Sequence, residues 1–219
     1  MVHTNKNMLK SLNLGVLISG GGKTLQNLID RIGDGSLKAR VQIVISSHPE
    51  AFGLERAGKH KIPSVVINRG SFKGESALGG FSQAITEELG RHELDLVVMA
   101  GFNCLYRIPE RYEGRVMNIH PALIPAFCGK GYYGEKVHRA VLEYGVKVTG
   151  CTVHFADNSY DHGPIILQRT VPVLNGDTPE GLAERVFKEE CIAYPEAIGL
   201  FQEGRLKIEG RKVRILSKC

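Results

Sequence analysis

Five apolar runs of strand length, separated by stretches of helical periodicity, lie between Leu14 and His120, and no other feature restricts the fold so strongly. Leu14–Ser19, Arg40–Ser47, Ser64–Asn68, Leu94–Ala100 and Arg115–His120 read as strands. Thr24–Ile32, with Leu25, Leu28, Ile29 and Ile32 on one face, reads as a helix, as do Ala51–His60 and Ser76–Arg91. The last of these is expected to break early, at Gly79-Gly80. Strands alternating with helices in this way favour a parallel sheet covered by helices on both faces.

The rhythm changes after Gly129. A glycine-punctuated loop, CGKGYYG, precedes a helix expected at Val137–Tyr144, and two long strands follow at Val146–Ala156 and Pro164–Val173. Only DNSYDHG separates these strands, too little chain for a helical crossover, so they should pair antiparallel. Thr178-Pro179-Glu180 supplies a capping hydroxyl and an N-terminal proline for a last helix, expected to reach Phe201 with a kink at Pro195. LKIEG and KVRIL suggest a closing hairpin. The expected class is therefore α/β: a Rossmann-like open sheet, parallel in the N-terminal half, with antiparallel strands added in the C-terminal half. One domain over residues 1–219 is expected, with an extension at 1–13 and the hairpin at 205–219.

The turn SGGGKTLQNL after the first strand ends in Gly22-Lys23-Thr24, like a nucleotide-binding P-loop. A P-loop needs a glycine five positions before Gly22, however, and that position is Leu17. What remains is a strand, a three-glycine turn and a helix start, whose free amides suit one phosphate better than three. In open parallel sheets ligands bind beyond the carboxyl ends of strands. The glycine turn, the loop at Gly101–Arg107 and the loop after Asn118-Ile119-His120 all lie at such ends.

Composition excludes several classes. The chain is 42% hydrophobic and 23% charged, and its net charge of +5 is a mild basic excess compatible with anionic small molecules. The C-terminal group Arg205, Lys207, Arg211, Lys212 and Arg214 reads better as a solvated hairpin than as a nucleic-acid patch, so no nucleic-acid partner is expected. Cys104, Cys128, Cys151, Cys191 and Cys219 lack paired spacing, which argues against a disulfide framework and for a reducing, cytoplasmic setting. The lysines of the first residues precede an apolar run, but glycines follow it instead of a cleavage site, and no run reaches the length of a membrane span. A soluble protein, monomeric or homodimeric, is expected.

Asn118 and His120 stand two residues apart on a strand and emerge on the same face, with Ile119 turned to the core and Pro121 ending the strand. An amide can donate to a developing oxyanion and an imidazole can move protons near neutrality; equally, Asn118 can cap a turn and His120 can pack under the loop. Asp161, in YDHGP, can fold over the sheet end and pair with His120, favouring the imidazolium. Asp157 competes for that role, and each aspartate also reads as an ordinary turn residue. His120, His138, His154 and Cys151 lack the paired spacing of a zinc set, and no Gly-x-Ser-x-Gly elbow is present, so neither a metal nor a serine nucleophile is expected. The CGKGYYG loop reads either as a mobile surface segment or as a lid.

Taken together, LGVLISGGGKTLQNLID, VVMAGF, NIHPALIP, KVTGCTVHFADNSYDHGPIILQ and EECIAYP resemble, in order and spacing, the folate-dependent glycinamide ribonucleotide transformylases of purine synthesis. The resemblance implies transfer of a formyl group from 10-formyltetrahydrofolate to the amine of glycinamide ribonucleotide, without a metal. It implies that Asn118, His120 and Asp161 are catalytic, and that Gly22, Lys23, Thr24 and Glu190 hold the ribonucleotide. It also implies that Asn103, Cys104, Leu105 and Tyr106, with Asn118, line the folate site. Three departures stand out. Gly-Lys-Thr replaces the family's usual Gly-Ser-Asn, adding a charge at Lys23. The segment between Phe102 and Asn118 is shorter, with Tyr106 in place of an aliphatic residue. No arginine lies near GESALGG, where Lys73 is the substitute at hand.

Rivals follow from the same resemblance. A methionyl-tRNA formyltransferase is expected to carry a further tRNA-binding domain. A formyltetrahydrofolate deformylase is expected to carry an N-terminal regulatory domain, whereas only about a dozen residues precede the first strand here. A nucleotide or folate sensor is the binding-only reading.

Overall fold

The computed structural model describes residues 10–218; the expected extension at 1–13 lies outside them up to residue 9, as does Cys219. Nine strands form one sheet: β1 (Leu12–Ile18), β2 (Ala39–Ser46), β3 (Ser64–Val66), β4 (Leu96–Met99), β5 (Val116–His120), β6 (Val148–Phe155), β7 (Ile165–Pro172), β8 (Leu206–Glu209) and β9 (Lys212–Ile215). Their order is β3-β2-β1-β4-β5-β6-β7-β9-β8. From β3 to β5 every pairing is parallel, β5–β6 and β6–β7 are antiparallel, and the β8–β9 hairpin joins β7 through one parallel pair, Ile165 with Lys212. The expected mixed sheet is therefore what forms, and its order reverses direction between β1 and β4, where α/β sheets open a crevice.

The helices are α1 (Lys23–Gly33), α2 (Phe52–Lys59), α3 (Ala77–Leu89), α4 (Glu135–Tyr144) and α5 (Pro179–Gln202). Alternation along β1 sends Leu12, Leu14, Val16 and Ile18 into a core shared with α1, α2, α4 and α5, and Leu17 into a second core under α3. On β5, Met117 and Ile119 enter the first core, so Asn118 and His120 share the opposite side with Val116. Gly15 faces α3, where a Cβ would stand 2.9 Å from a methyl of Leu89.

The helix break expected at Gly79-Gly80 does not occur: α3 runs through both. A Cβ on Gly80 would stand 3.2 Å from the Phe72 ring, so the glycine admits an aromatic contact that offsets its poor helix propensity.

Pro195 lies inside an uninterrupted α5. Having no N–H, it leaves the carbonyl of Cys191 without its helical donor. Asn27 of α1 fills the gap, its Nδ2 donating to that carbonyl at 3.2 Å. Asn27→Ala should therefore lower stability by about 1 kcal/mol. In a Pro195→Ala background the restored N–H takes over and the loss should shrink, which a double-mutant cycle of thermal melts would read.

Candidate active site

A cluster of polar contacts converges at the carboxyl end of β5. Asp161, in the turn between β6 and β7, adopts a left-handed φ of 50°. One carboxylate oxygen, Oδ1, accepts from Asn118 Nδ2 at 3.2 Å; the other, Oδ2, accepts from the Gly129 N–H at 2.9 Å and lies 3.4 Å from His120 Nδ1. His120 is buried, and its Nε2 donates to the Phe127 carbonyl at 2.8 Å. Both ring nitrogens thus face oxygen, Nε2 in a hydrogen bond and Nδ1 in a longer contact with the carboxylate. The second hydrogen of the Asn118 amide goes to His154 Nε2 at 3.2 Å, and His154 Nδ1 donates to the Phe155 carbonyl at 2.9 Å. Burial lowers the pKa of His154, in keeping with the neutral tautomer these two bonds require.

The structure therefore brings Asn118, His120 and Asp161 together. It sends Asp157 elsewhere, to an exposed pair with His162 Nδ1 at 2.7 Å and a turn bond from the Ser159 N–H. Sequence reasoning passed over two partners of this cluster. His154 weighed only as a zinc candidate, yet the antiparallel register sets it directly opposite Asn118. The Phe127 carbonyl carries no sequence signal. It reaches His120 because the chain turns back at Phe127, which has a φ of 50°.

His138, on α4, lies near enough to His120 to feel its charge. Burial first, and that charge second, push its pKa down from 6.5 to about 4, and its Nδ1 has no hydrogen-bond partner among the described residues. Between those values the unfolded chain takes up a proton that the folded protein refuses. Stability present in full above pH 6.5 is therefore lost as the pH falls towards about 4. In His138→Phe, urea midpoints followed against pH should fall less steeply across that window than in the parent.

At the crevice between β1 and β4, the glycine turn leads into α1. Gly22 precedes the helix with a φ of 68°, and a Cβ there would come within 2.6 Å of Gly53 Cα on α2, so both the dihedral and the space require glycine. The helix starts at Lys23, one residue before the expected Thr24, with no side-chain cap and no acidic residue in its first turn. Instead, cations gather there. Lys23 leads the helix, its Nζ 6.0 Å from the Phe187 ring centroid on α5. Arg56 of α2 donates from Nε to the Gly21 carbonyl at 2.9 Å and from Nη1 to Gln26 at 3.3 Å. Positive side chains at the positive end of a helix dipole oppose ordinary preference and suit a bound anion. Sequence reasoning missed Arg56, whose role depends on α2 docking through Gly53.

Glu190, on α5, forms no hydrogen bond or ion pair among the described residues. It keeps part of its surface in solvent, but desolvation by the surrounding protein raises its carboxyl from 4.5 to about 7. An unpaired acid held in this way is a feature of binding sites more than of scaffolding.

The loop after β4 runs beside the cluster. The Asn103 N–H donates to Ser19 Oγ at 3.1 Å, tying this loop to the glycine turn, and the Leu105 N–H donates to Tyr160 Oη at 3.1 Å, tying it to the turn that carries Asp161. Cys104 is partly exposed. The Tyr106 side chain is buried instead, bonded to Thr86 at 2.8 Å with its pKa raised to about 12 by burial, so only its backbone is available to a ligand. Lys73 is exposed ahead of α3. Among the described residues no cluster of three His, Cys, Asp or Glu side chains is arranged to hold a metal ion, and no helix is long and apolar enough to cross a membrane.

An imidazole, an amide and a carboxylate thus meet at the carboxyl end of β5 in a switched α/β sheet. Residues 12–198 match the formyl transferase family, and the chain belongs to that family. It is 38% identical over 196 residues to the chloroplastic phosphoribosylglycinamide formyltransferase of Arabidopsis thaliana, covering 89% of this chain and 66% of that protein. It is 37% identical to the phosphoribosylglycinamide formyltransferase of Escherichia coli (strain K12), over 90% of each. Among solved structures, glycinamide ribonucleotide transformylase 1 from Symbiobacterium toebii superposes with a TM-score of 0.85 at 46% identity, covering 94% of this chain and 95% of that one.

Proposed function

We propose that the chain acts as a single formyltransferase domain that moves the formyl group of 10-formyltetrahydrofolate to the amine of glycinamide ribonucleotide, in purine synthesis. The observation that carries this reading is the contact of Asp161 with both Asn118 and His120 at the carboxyl end of β5. The similarity to the phosphoribosylglycinamide formyltransferases of Arabidopsis thaliana and Escherichia coli supports the acceptor and the transferred group.

The reaction needs an uncharged amine to attack the formyl carbon, forming a C–N bond while the carbonyl π pair moves onto oxygen. Asn118 and His120 stabilise that oxygen, and Asp161 holds the imidazolium. Collapse breaks the bond to N10 of the folate, and the proton lost by the attacking nitrogen ends on the leaving one. Within the protein these donors already have partners: His120 Nε2 the Phe127 carbonyl, and the Asn118 amide Asp161 and His154. An incoming oxyanion must replace Phe127, so the loop from Phe127 through the CGKGYYG glycines serves as a lid whose rearrangement frees the imidazole. The ribonucleotide phosphate occupies the amides of Gly22, Lys23 and Thr24, and Glu190 accepts hydrogen bonds from the same substrate. The folate lies along Asn103, Cys104, Leu105 and the Tyr106 backbone. A reducing, cytoplasmic setting accords with four free cysteines among the described residues.

The test follows folate release from 10-formyltetrahydrofolate with and without glycinamide ribonucleotide. Release that requires the amine supports the transferase. Release without it favours the deformylase, in which water replaces the amine, and no release in either case favours a sensor.

A further inference from the structure

The turn that carries Asp161 is gripped from outside by the C-terminal hairpin. His162 is the next residue; its Nδ1 donates to Asp157 Oδ2 at 2.7 Å, and its Nε2 lies 2.9 Å from Arg211 Nη1, which also donates to the His162 carbonyl at 2.5 Å. With Nδ1 donating, Nε2 is left as an acceptor, so the imidazole bridges a carboxylate and a guanidinium. Arg211 stands in the two-residue turn between β8 and β9, after Gly210 with a φ of 60°. The neighbouring residue, Lys212, is the one that pairs with Ile165 at the start of β7, so docking of the hairpin delivers Arg211 to this turn.

From these contacts we infer that Arg211 is a positioning residue for Asp161, acting through His162. Asp161 holds a left-handed φ of 50°, a conformation that persists only when neighbouring contacts over-determine it. On one side Tyr160 Oη accepts the Leu105 N–H at 3.1 Å. Further on, Gly163 lies so close to the Phe155 backbone that a Cβ would collide with its carbonyl. Between them, the His162 side chain is 58% exposed and is held by Asp157 and Arg211. Because Asp161 contacts Asn118, His120 and Gly129 at once, a small displacement of the turn disturbs all three. Arg211 itself touches none of the reacting groups, so its effect is on placement, and it should appear in turnover before it appears in binding.

This inference rests on the proposed formyl transfer, but one of its two readouts does not. The full chain and its Arg211→Ala variant are compared in steady-state kinetics and in hydrogen–deuterium exchange of the segment 157–163. Arg211→Ala should lower kcat by about five- to twentyfold with both KM values within about twofold, since misplacement of a catalytic group acts mainly on the chemical step. Exchange at 160–162 should quicken. Arg211→Lys, which can still reach the His162 carbonyl, should recover part of the loss. Unchanged kcat, a change in KM alone, or lowered kcat without faster exchange would each overturn the assignment. If Arg211→Ala does not fold, Arg211→Lys and His162→Ala are judged by the same two readouts. If the parent transfers no formyl group, the functional reading fails, and exchange alone then decides whether the tether exists.

Discussion

Asp161→Asn should lower kcat by about 10²–10³-fold, equivalent to about 3–4 kcal/mol, with the protein still folded. The carboxylate accepts from the Gly129 N–H and from the Asn118 amide and pairs with His120 Nδ1. A carboxamide of the same shape cannot accept at both ends, since its nitrogen must face at least one of these donors. It also removes the negative charge opposite the imidazolium during the step in which the oxyanion forms. His120→Ala and Asn118→Ala should each show a deficit of the same order. Combining either with Asp161→Asn should add little, because residues that act as a unit are not additive. Parental turnover in purified, folded Asp161→Asn would refute the catalytic assignment.

Glu190→Gln should weaken ribonucleotide binding by about 10- to 100-fold at pH 8, the usual worth of a hydrogen bond to a charged group, and at the same time stabilise the free protein. The sign follows from the raised carboxyl. Between 4.5 and about 7 the native state holds a proton that the unfolded chain releases. Stability present below pH 4.5 is therefore lost as the pH rises through about 7. A shift of that size corresponds to about 3 kcal/mol, and partial exposure reduces it to about 1–2 kcal/mol. Glutamine never ionises, so the variant should melt about 2–6 °C higher than the parent at pH 8 and at nearly the same temperature at pH 5. Ribonucleotide affinity should climb with pH through about 7 in the parent and stay flat in the variant, as isothermal titration would show. A pH-independent affinity in the parent would remove Glu190 from the proposed ribonucleotide site.

The contrast between these two carboxylates shows where sequence reading runs out. Asp161 and Asp157 lie in one turn and have the same local chemistry, so both were open as the partner of His120. What separates them is a left-handed residue that swings Asp161 over the sheet end and leaves Asp157 facing solvent. Glu190 was legible only through the EECIAYP resemblance, because nothing in a helix's periodicity reveals that an acid will lack a partner. Arg56, His154 and Arg211 gave no usable signal either, since each acts across a contact that forms only when distant elements dock.

The sequence by itself determined the strand and helix succession, the parallel-then-antiparallel sheet and the pair Asn118–His120 on one face, because these depend on periodicity and chain length between neighbours. It also marked the three-glycine turn before α1, whereas the structure decided that Gly22 is the glycine taking the left-handed dihedral against Gly53. Only the tertiary structure decided which acid meets the imidazole, which carbonyl occupies its far nitrogen, and how the hairpin meets the turn that carries Asp161. Those outcomes depend on distances between segments far apart in the chain, and local preferences carry no information about such distances.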